Sequence, residues 1–202
     1  MILGKWNKSV ILSYVGLFLS VLGMYFFIQG ILNYGIVCLM FAGICDLFDG
    51  TVARRCKRTK EEKQFGIELD SLIDVFSFIA LPIVFFYAIG FNAWYYIPFL
   101  GLYGILGVAR LAHFNTIVEN DNKPVPYYHG LPVTYAALIF PLAYIILSRY
   151  FDVLFHTVFG IIILIVSVFF IVDIKVPKPK LKASIGLLIL AILLTVYCIV
   201  LL

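Results

Sequence analysis

Long apolar runs alternate with short polar intervals along this chain, and the runs have the length of membrane helices. Seven stretches of roughly 20 residues, at 10–28, 34–54, 69–89, 94–114, 131–148, 153–172 and 183–202, are apolar enough to cross a hydrocarbon core about 30 Å thick. Two of them break the pattern. The uninterrupted apolar part of 34–54 stops at Cys45 and the remaining turns carry Asp46 and Asp49, while 69–89 has Asp70 and Asp74 in its opening turns. The predicted fold class is all-α, a polytopic transmembrane helix bundle with little outside the membrane.

Composition agrees with the pattern. Of 202 residues 63% are hydrophobic and 13% charged, with a mean hydropathy of +1.07, which excludes a water-soluble globule. The first run is long and lacks a small-residue cleavage site, so it is expected to stay as the first span. Cys38, Cys45, Cys56 and Cys198 are far apart with no CxxC pair, and neither a zinc site nor a disulfide framework is expected. A cytoplasmic N-terminus puts Lys5, Lys8, the basic residues of 54–63, Lys123, Lys175, Lys178, Lys180 and Lys182 inside, and leaves only Arg149 outside. The net charge of +4 therefore lies at a membrane surface, where it attracts anionic lipid; no nucleic-acid partner is implied.

The four aspartates carry the chemistry. Asp46 and Asp49 are three apart and Asp70 and Asp74 four apart, so each pair shares a helix face. At 1.5 Å per residue the first pair lies roughly 8 to 12 Å before Arg54 and the second roughly 6 to 12 Å after Gly66. If residues 55–65 form a cytoplasmic hairpin, the two pairs meet at matching depth. Capping of a helix end, or pairing with the basic hairpin, would explain one such Asp but not a converging foursome. Like charges at a few ångströms repel strongly, and a divalent cation resolves the conflict. Oxygen ligands without His or Cys favour magnesium, manganese or calcium over zinc.

Gly50 and Ala53 leave that helix face bare, which admits a flat ligand to the backbone, although small residues also serve helix packing. Arg54 suits bidentate phosphate contact as well as topology. A divalent metal, a phosphate-binding cation and interfacial depth together describe phosphoryl chemistry on a lipid-linked pyrophosphate.

Asp46, Asp49, Gly50, Ala53, Arg54, Gly66, Asp70 and Asp74 spell DxxDGxxAR followed by GxxxDxxxD. That pattern resembles the signature of the CDP-alcohol phosphatidyltransferase family. The segments FGIELDSLIDVFSF at 65–78, GVARLAHFN at 107–115, GLPVT at 130–134 and DIKVPKPK at 173–180 are similar to the family's serine-using bacterial and archaeal members. The resemblance covers roughly 9–180 of a single membrane-embedded domain, 1–202, and implies a six-helix core with an added helix at about 183–202. It implies transfer of a phosphatidyl group from CDP-diacylglycerol to the hydroxyl of L-serine with release of CMP. It further implies a manganese or magnesium cofactor, a homodimer, and an active site at the cytoplasmic face of the cell membrane.

Carried over by position, the resemblance makes Asp46, Asp49 and Asp70 metal ligands, and Asp74 a further ligand and the general base. Gly50, Ala53, Arg54 and Gly66 would line the CDP-diacylglycerol site. Residues 55–65, RCKRTKEEKQF, form a longer and more basic connection than the family usually has, and Tyr14 stands near where many relatives place an Asn.

Serine brings a carboxylate, and Arg110, about one turn inside the end of its helix, is the candidate cation for it, with His113 and Asn115 close behind. The alternative for Arg110 is snorkelling to the headgroups. His129 is secondary, and His156 beside Asp152 is read as structural. Within the family, glycerol 3-phosphate, inositol phosphate or an amino alcohol is the alternative acceptor; a phosphorylated one would want several cations. A cation transporter would place its ionisable groups near the bilayer midplane, often between repeated halves, whereas these cluster at one end and no repeat is visible.

Overall fold

The computed structural model describes residues 4, 7–120, 127–150, 153–177 and 181–201; Lys5, Lys123, Asp152, Lys178 and Lys180 lie outside them. The helices are α1 (Ile11–Ile28), α2 (Leu32–Arg55), α3 (Lys60–Val75), α4 (Leu81–Ala88), α5 (Ile97–Asn120), α6 (Ala136–Tyr150), α7 (Phe155–Ile171) and α8 (Leu181–Leu201). Two short strands, β1 (Tyr127–His129) and β2 (Lys175–Pro177), and single helical turns at Phe76–Ala80, Trp94–Tyr96 and Val133–Tyr135 complete the described elements. Five helical rods are long and apolar enough to cross a membrane: Ile11–Ile28, Leu32–Arg55, Lys60–Ala88, Trp94–Thr116 and Val133–Tyr150. The shorter apolar helices Phe155–Ile171 and Ile185–Val200 occupy the other two expected positions. The molecule is an all-α multi-pass membrane bundle.

Close backbone approach holds the first two helices together. The face of α1 turned inward carries Ser13, Gly16, Ser20, Gly23 and Phe27. A Cβ added at Gly16 would lie 3.2 Å from the Cys45 Cβ, and one at Gly23 3.0 Å from the Cys38 Cβ, so α1 and α2 touch almost backbone to backbone. Gly43 does the same for α6, where an added Cβ would stand 2.7 Å from that of Ala137. Away from these contacts the bundle is filled by aromatic rings. Phe86 meets Tyr103 and Phe140 edge to face, with centroids 5.4 and 4.7 Å apart. α8 packs against α2, burying Ala191, Thr195 and Cys198.

The connection between α2 and α3 is shorter than the expected hairpin of 55–65. Thr59 starts α3 with a capping box: its hydroxyl accepts from the Glu62 N–H at 3.2 Å, and the Glu62 carboxylate accepts from the Thr59 N–H at 2.8 Å. The helix therefore begins at Lys60 rather than near residue 69 and carries the acids on a rod that projects beyond the apolar span. Thr59→Ala is expected to cost about 1 kcal/mol, seen as a fall of about 2–4 °C in the thermal midpoint in detergent, and Thr59→Ser to restore it.

Phe76–Ala80 is a π-helical turn joining α3 to α4. Pro82 explains it: the ring has no N–H to offer the Phe78 carbonyl four residues back and would crowd it in a regular α turn. The Tyr103 hydroxyl donates to that carbonyl instead, at 2.7 Å. Ser77 on the same turn is held by Ser20 of α1, also at 2.7 Å.

At the end of the bundle nearest the acids, β1 and β2 form an antiparallel clasp with Tyr128 opposite Val176. α5 runs on to Asn120, beyond the span expected to end at 114, and β1 begins at Tyr127. The clasp continues where Gly130 N–H donates to Ile174 O at 2.9 Å and Leu131 N–H to Phe169 O at 2.8 Å. Gly130 has φ +75°, and an added Cβ would lie 2.6 Å from the Phe170 carbonyl oxygen, so this turn admits only glycine without displacement.

Candidate active site

The three- and four-residue spacings do bring the acids together. Asp46, Asp49 and Asp70 each offer a carboxylate oxygen, and these oxygens lie within 4.8 Å of one another. Asp74, one turn further along α3, faces Asp46 within side-chain hydrogen-bonding range. Its Oδ1 is buried without a hydrogen-bond partner among the described residues.

Two hydroxyls from other elements seat the cluster. Ser13 of α1 donates to Asp49 Oδ2 at 3.0 Å, and the Thr134 side chain, on the single turn leading into α6, reaches Asp46. Sequence reasoning missed Ser13 altogether. Thr134 was visible only as the last residue of GLPVT.

An all-oxygen donor set, three carboxylates at this separation and a fourth with an orphaned oxygen fit a hard divalent cation such as magnesium or manganese. A hydrogen-bonded acid network alone would leave no buried oxygen unpaired.

The glycines of the motif do not pack helices. A Cβ at Gly50 would meet only Arg54 Nη1 at 3.6 Å, and one at Gly66 only Arg58 Nη1 at 3.5 Å, among the described residues. The contrast with Gly16, Gly23 and Gly43 separates the two uses of a small residue: close helix contact there, open backbone here. Beside them opens a cleft of about 480 Å³ lined by Ala53, Arg54, Cys56, Lys57, Arg58 and Lys63. Arg54 is exposed, its guanidinium tethered to Thr51 Oγ1 at 3.0 Å.

Arg110 of α5 is 6% exposed, the one charged residue among the buried ones described. Among the described residues its Nε and Nη2 have no hydrogen-bond partner, and the Asp74 carboxylate is near enough to act on its charge. The guanidinium carbon lies 5.0 Å from the Phe114 ring centroid and 5.9 Å from that of Tyr128. An arginine that only snorkelled would carry its head to the surface.

Of the residues expected beside Arg110, Asn115 joins Ser71 of α3, with Nδ2 to Oγ at 2.8 Å and Oγ to Oδ1 at 3.1 Å. It ties α5 to the helix of the acids. His113 is exposed and is not brought to the cluster; it falls off the face of α5 that turns Gly107, Arg110 and Leu111 inward. His129 binds Asp173 through Nδ1 at 2.6 Å in the clasp, and His156 packs against Phe91 with ring centroids 5.5 Å apart.

Comparison with known proteins bears on this geometry. The CDP-diacylglycerol–serine O-phosphatidyltransferase of Saccharomyces cerevisiae is 38% identical over 109 residues, covering 50% of this chain and 38% of the yeast protein. The enzyme of the same name from Helicobacter pylori is 32% identical over 155 residues, 74% of this chain and 63% of that one. The archaetidylserine synthase of Methanothermobacter thermautotrophicus is 29% identical over 154 residues, 75% and 61% respectively. The match thus spans under two thirds of each of these relatives. The family model for CDP-alcohol phosphatidyltransferases matches residues 6–172, a stretch that holds all four acids, the open glycines and Arg110. The chain belongs to the CDP-alcohol phosphatidyltransferase family.

Proposed function

We propose that this protein transfers the phosphatidyl group of CDP-diacylglycerol to the hydroxyl of L-serine, giving phosphatidylserine and CMP. The observation that carries the choice of acceptor is Arg110, buried near Asp74 and, among the described residues, unpartnered at Nε and Nη2. One buried cation matches one carboxylate. Glycerol 3-phosphate or inositol phosphate would bring a dianion, and among the described residues no second buried cation stands there to meet it. The names of the yeast, bacterial and archaeal relatives point the same way.

Asp46, Asp49 and Asp70 would hold the divalent cation, manganese or magnesium, with Asp74 as a further ligand. Bound there, it would polarise the phosphoryl oxygens and offset the charge of departing CMP. Gly50, Ala53, Arg54 and Gly66 line the approach for the cytidine and diphosphate, with Arg54 on a phosphate. Arg110 takes the serine carboxylate and so holds the hydroxyl toward Asp74.

A serine hydroxyl is a weak nucleophile at neutral pH, and Asp74 removes its proton as the oxygen attacks the phosphorus bearing diacylglycerol. The phosphorus–oxygen bond to CMP breaks on the opposite side, and the proton remains on Asp74 until solvent takes it. We place this site at the cytoplasmic face of the cell membrane, in a single domain that works as a homodimer. Asn115 serves the acceptor end only indirectly, by fixing α5 against α3, and His113 is given no role there.

The test is CMP release by the purified protein in detergent micelles with CDP-diacylglycerol, manganese and a panel of alcohols. Serine-dependent release that stops with EDTA and returns with excess manganese or magnesium is the expected result. Release with glycerol 3-phosphate or inositol phosphate but not serine would replace the acceptor, and release indifferent to EDTA would remove the metal. No release with any of the alcohols would leave the acid cluster to be read as an ion-transport site.

A further inference from the structure

Arg110 poses a problem of orientation. A buried guanidinium is ordinarily fixed by hydrogen bonds along its fork, yet Nε and Nη2 have none among the described residues. What it does have is two neighbouring rings beside it: Phe114 one turn along its own helix at 5.0 Å, and Tyr128 from β1 at 5.9 Å. The two rings also meet each other, 5.9 Å between centroids. A planar cation against aromatic faces loses its freedom to tilt, and the attraction is worth more in a site from which water is excluded.

Tyr128 is presented by the clasp. Along a strand, successive side chains point to opposite sides. Tyr127 is accordingly exposed and His129 turns to Asp173, while Tyr128 between them turns to the bundle. Its register opposite Val176, the Gly130 and Leu131 hydrogen bonds to Ile174 and Phe169, and the His129–Asp173 pair all lie within three residues of it. Burial first, then the Asp46 charge, hold its phenol above the usual value, so it meets Arg110 as a neutral ring.

We propose that Tyr128 is a positioning residue for the acceptor: its ring fixes the plane of the Arg110 guanidinium so that the unpartnered edge, Nε and Nη2, meets the acceptor's carboxylate. This rests on the reading that the acceptor is serine. Its consequence is selectivity. The preference for an amino acid over an amino alcohol of the same size depends on a residue brought in by the clasp, outside the aspartate and glycine motif in sequence.

Tyr128→Leu should raise the KM for serine about tenfold, leaving kcat and the KM for CDP-diacylglycerol within about twofold. Tyr128→Phe, which keeps the ring, should stay within about twofold of the unmodified protein in all three. In an Arg110→Gln background Tyr128→Leu should add no further loss in kcat/KM for serine, because the ring then has no guanidinium to hold.

Should Tyr128→Leu fail to fold, Tyr128→Met, flexible and ringless, serves in its place. An unmoved serine KM in the ringless variant, or equal losses toward both substrates, overturns the proposal while serine transfer stands. So does a Tyr128→Phe variant as impaired as Tyr128→Leu, which would make the hydroxyl the working group. If the unmodified protein releases CMP with another alcohol and not with serine, the functional reading fails first and this inference with it.

Discussion

Asp74→Asn is expected to reduce serine-dependent CMP release by about 10²–10⁴-fold, the usual contribution of a positioned general base. Asparagine has the same shape and keeps the contact with Asp46, but it cannot take up the serine proton and is a poor ligand for a hard cation. Asp74 is the acid whose Oδ1 is left without a partner, so it is the one with an oxygen to spare for the acceptor. The loss should therefore fall on kcat, with CDP-diacylglycerol still binding and the thermal midpoint unchanged or higher, since one of four crowded negative charges is gone. Activity within about tenfold of the unmodified protein would remove Asp74 from the chemistry and leave it a structural acid.

Arg110→Gln should act on a different parameter. Truncating one side of a buried, charge-assisted contact typically costs about 2–5 kcal/mol, which at about 1.4 kcal/mol per decade corresponds to a loss of roughly 30- to 3,000-fold in kcat/KM for serine. CDP-diacylglycerol affinity should be unaffected. Arg110→Lys should recover little, because an ammonium neither stacks on the Phe114 and Tyr128 rings nor presents a planar fork. The same substitution should raise the thermal midpoint: in the free protein the arginine is buried with two unsatisfied nitrogens, a standing cost that glutamine reduces. An unchanged serine KM in Arg110→Gln would sink the acceptor assignment.

The sequence carried the spans, the four acids and the open glycines because each is a local pattern. Apolar run length marks a span, and spacings of three and four mark a helix face. Thr59 and Glu62 mark the start of α3 in an equally local way, since a capping box needs only two residues three apart.

What stayed hidden depends on partners distant in the chain. Ser13 reaches Asp49 only because Gly16 and Gly23 let α1 lie against α2. The clasp pairs two three-residue strands that carry too few residues to show an alternating pattern, and so Tyr128 went unnoticed beside Arg110. His113 was grouped with Arg110 by proximity along the chain, whereas the rotation of the helix sets it on another face.

The π-helical turn at Phe76–Ala80 makes the rod from Lys60 to Ala88 two helices with different phase. Such a turn accommodates one residue more than an α turn, so everything before it is rotated by about 100° relative to everything after it, compared with an unbroken helix. Upstream phase aims Asp70 and Asp74 at α2, and downstream phase sends Leu81, Phe85 and Phe86 into the aromatic core. The count of residues between Asp74 and Leu81, more than their identity, thus sets the direction in which the acids face. Inserting or deleting one residue in this turn would swing the acids away from α2 by about 100°.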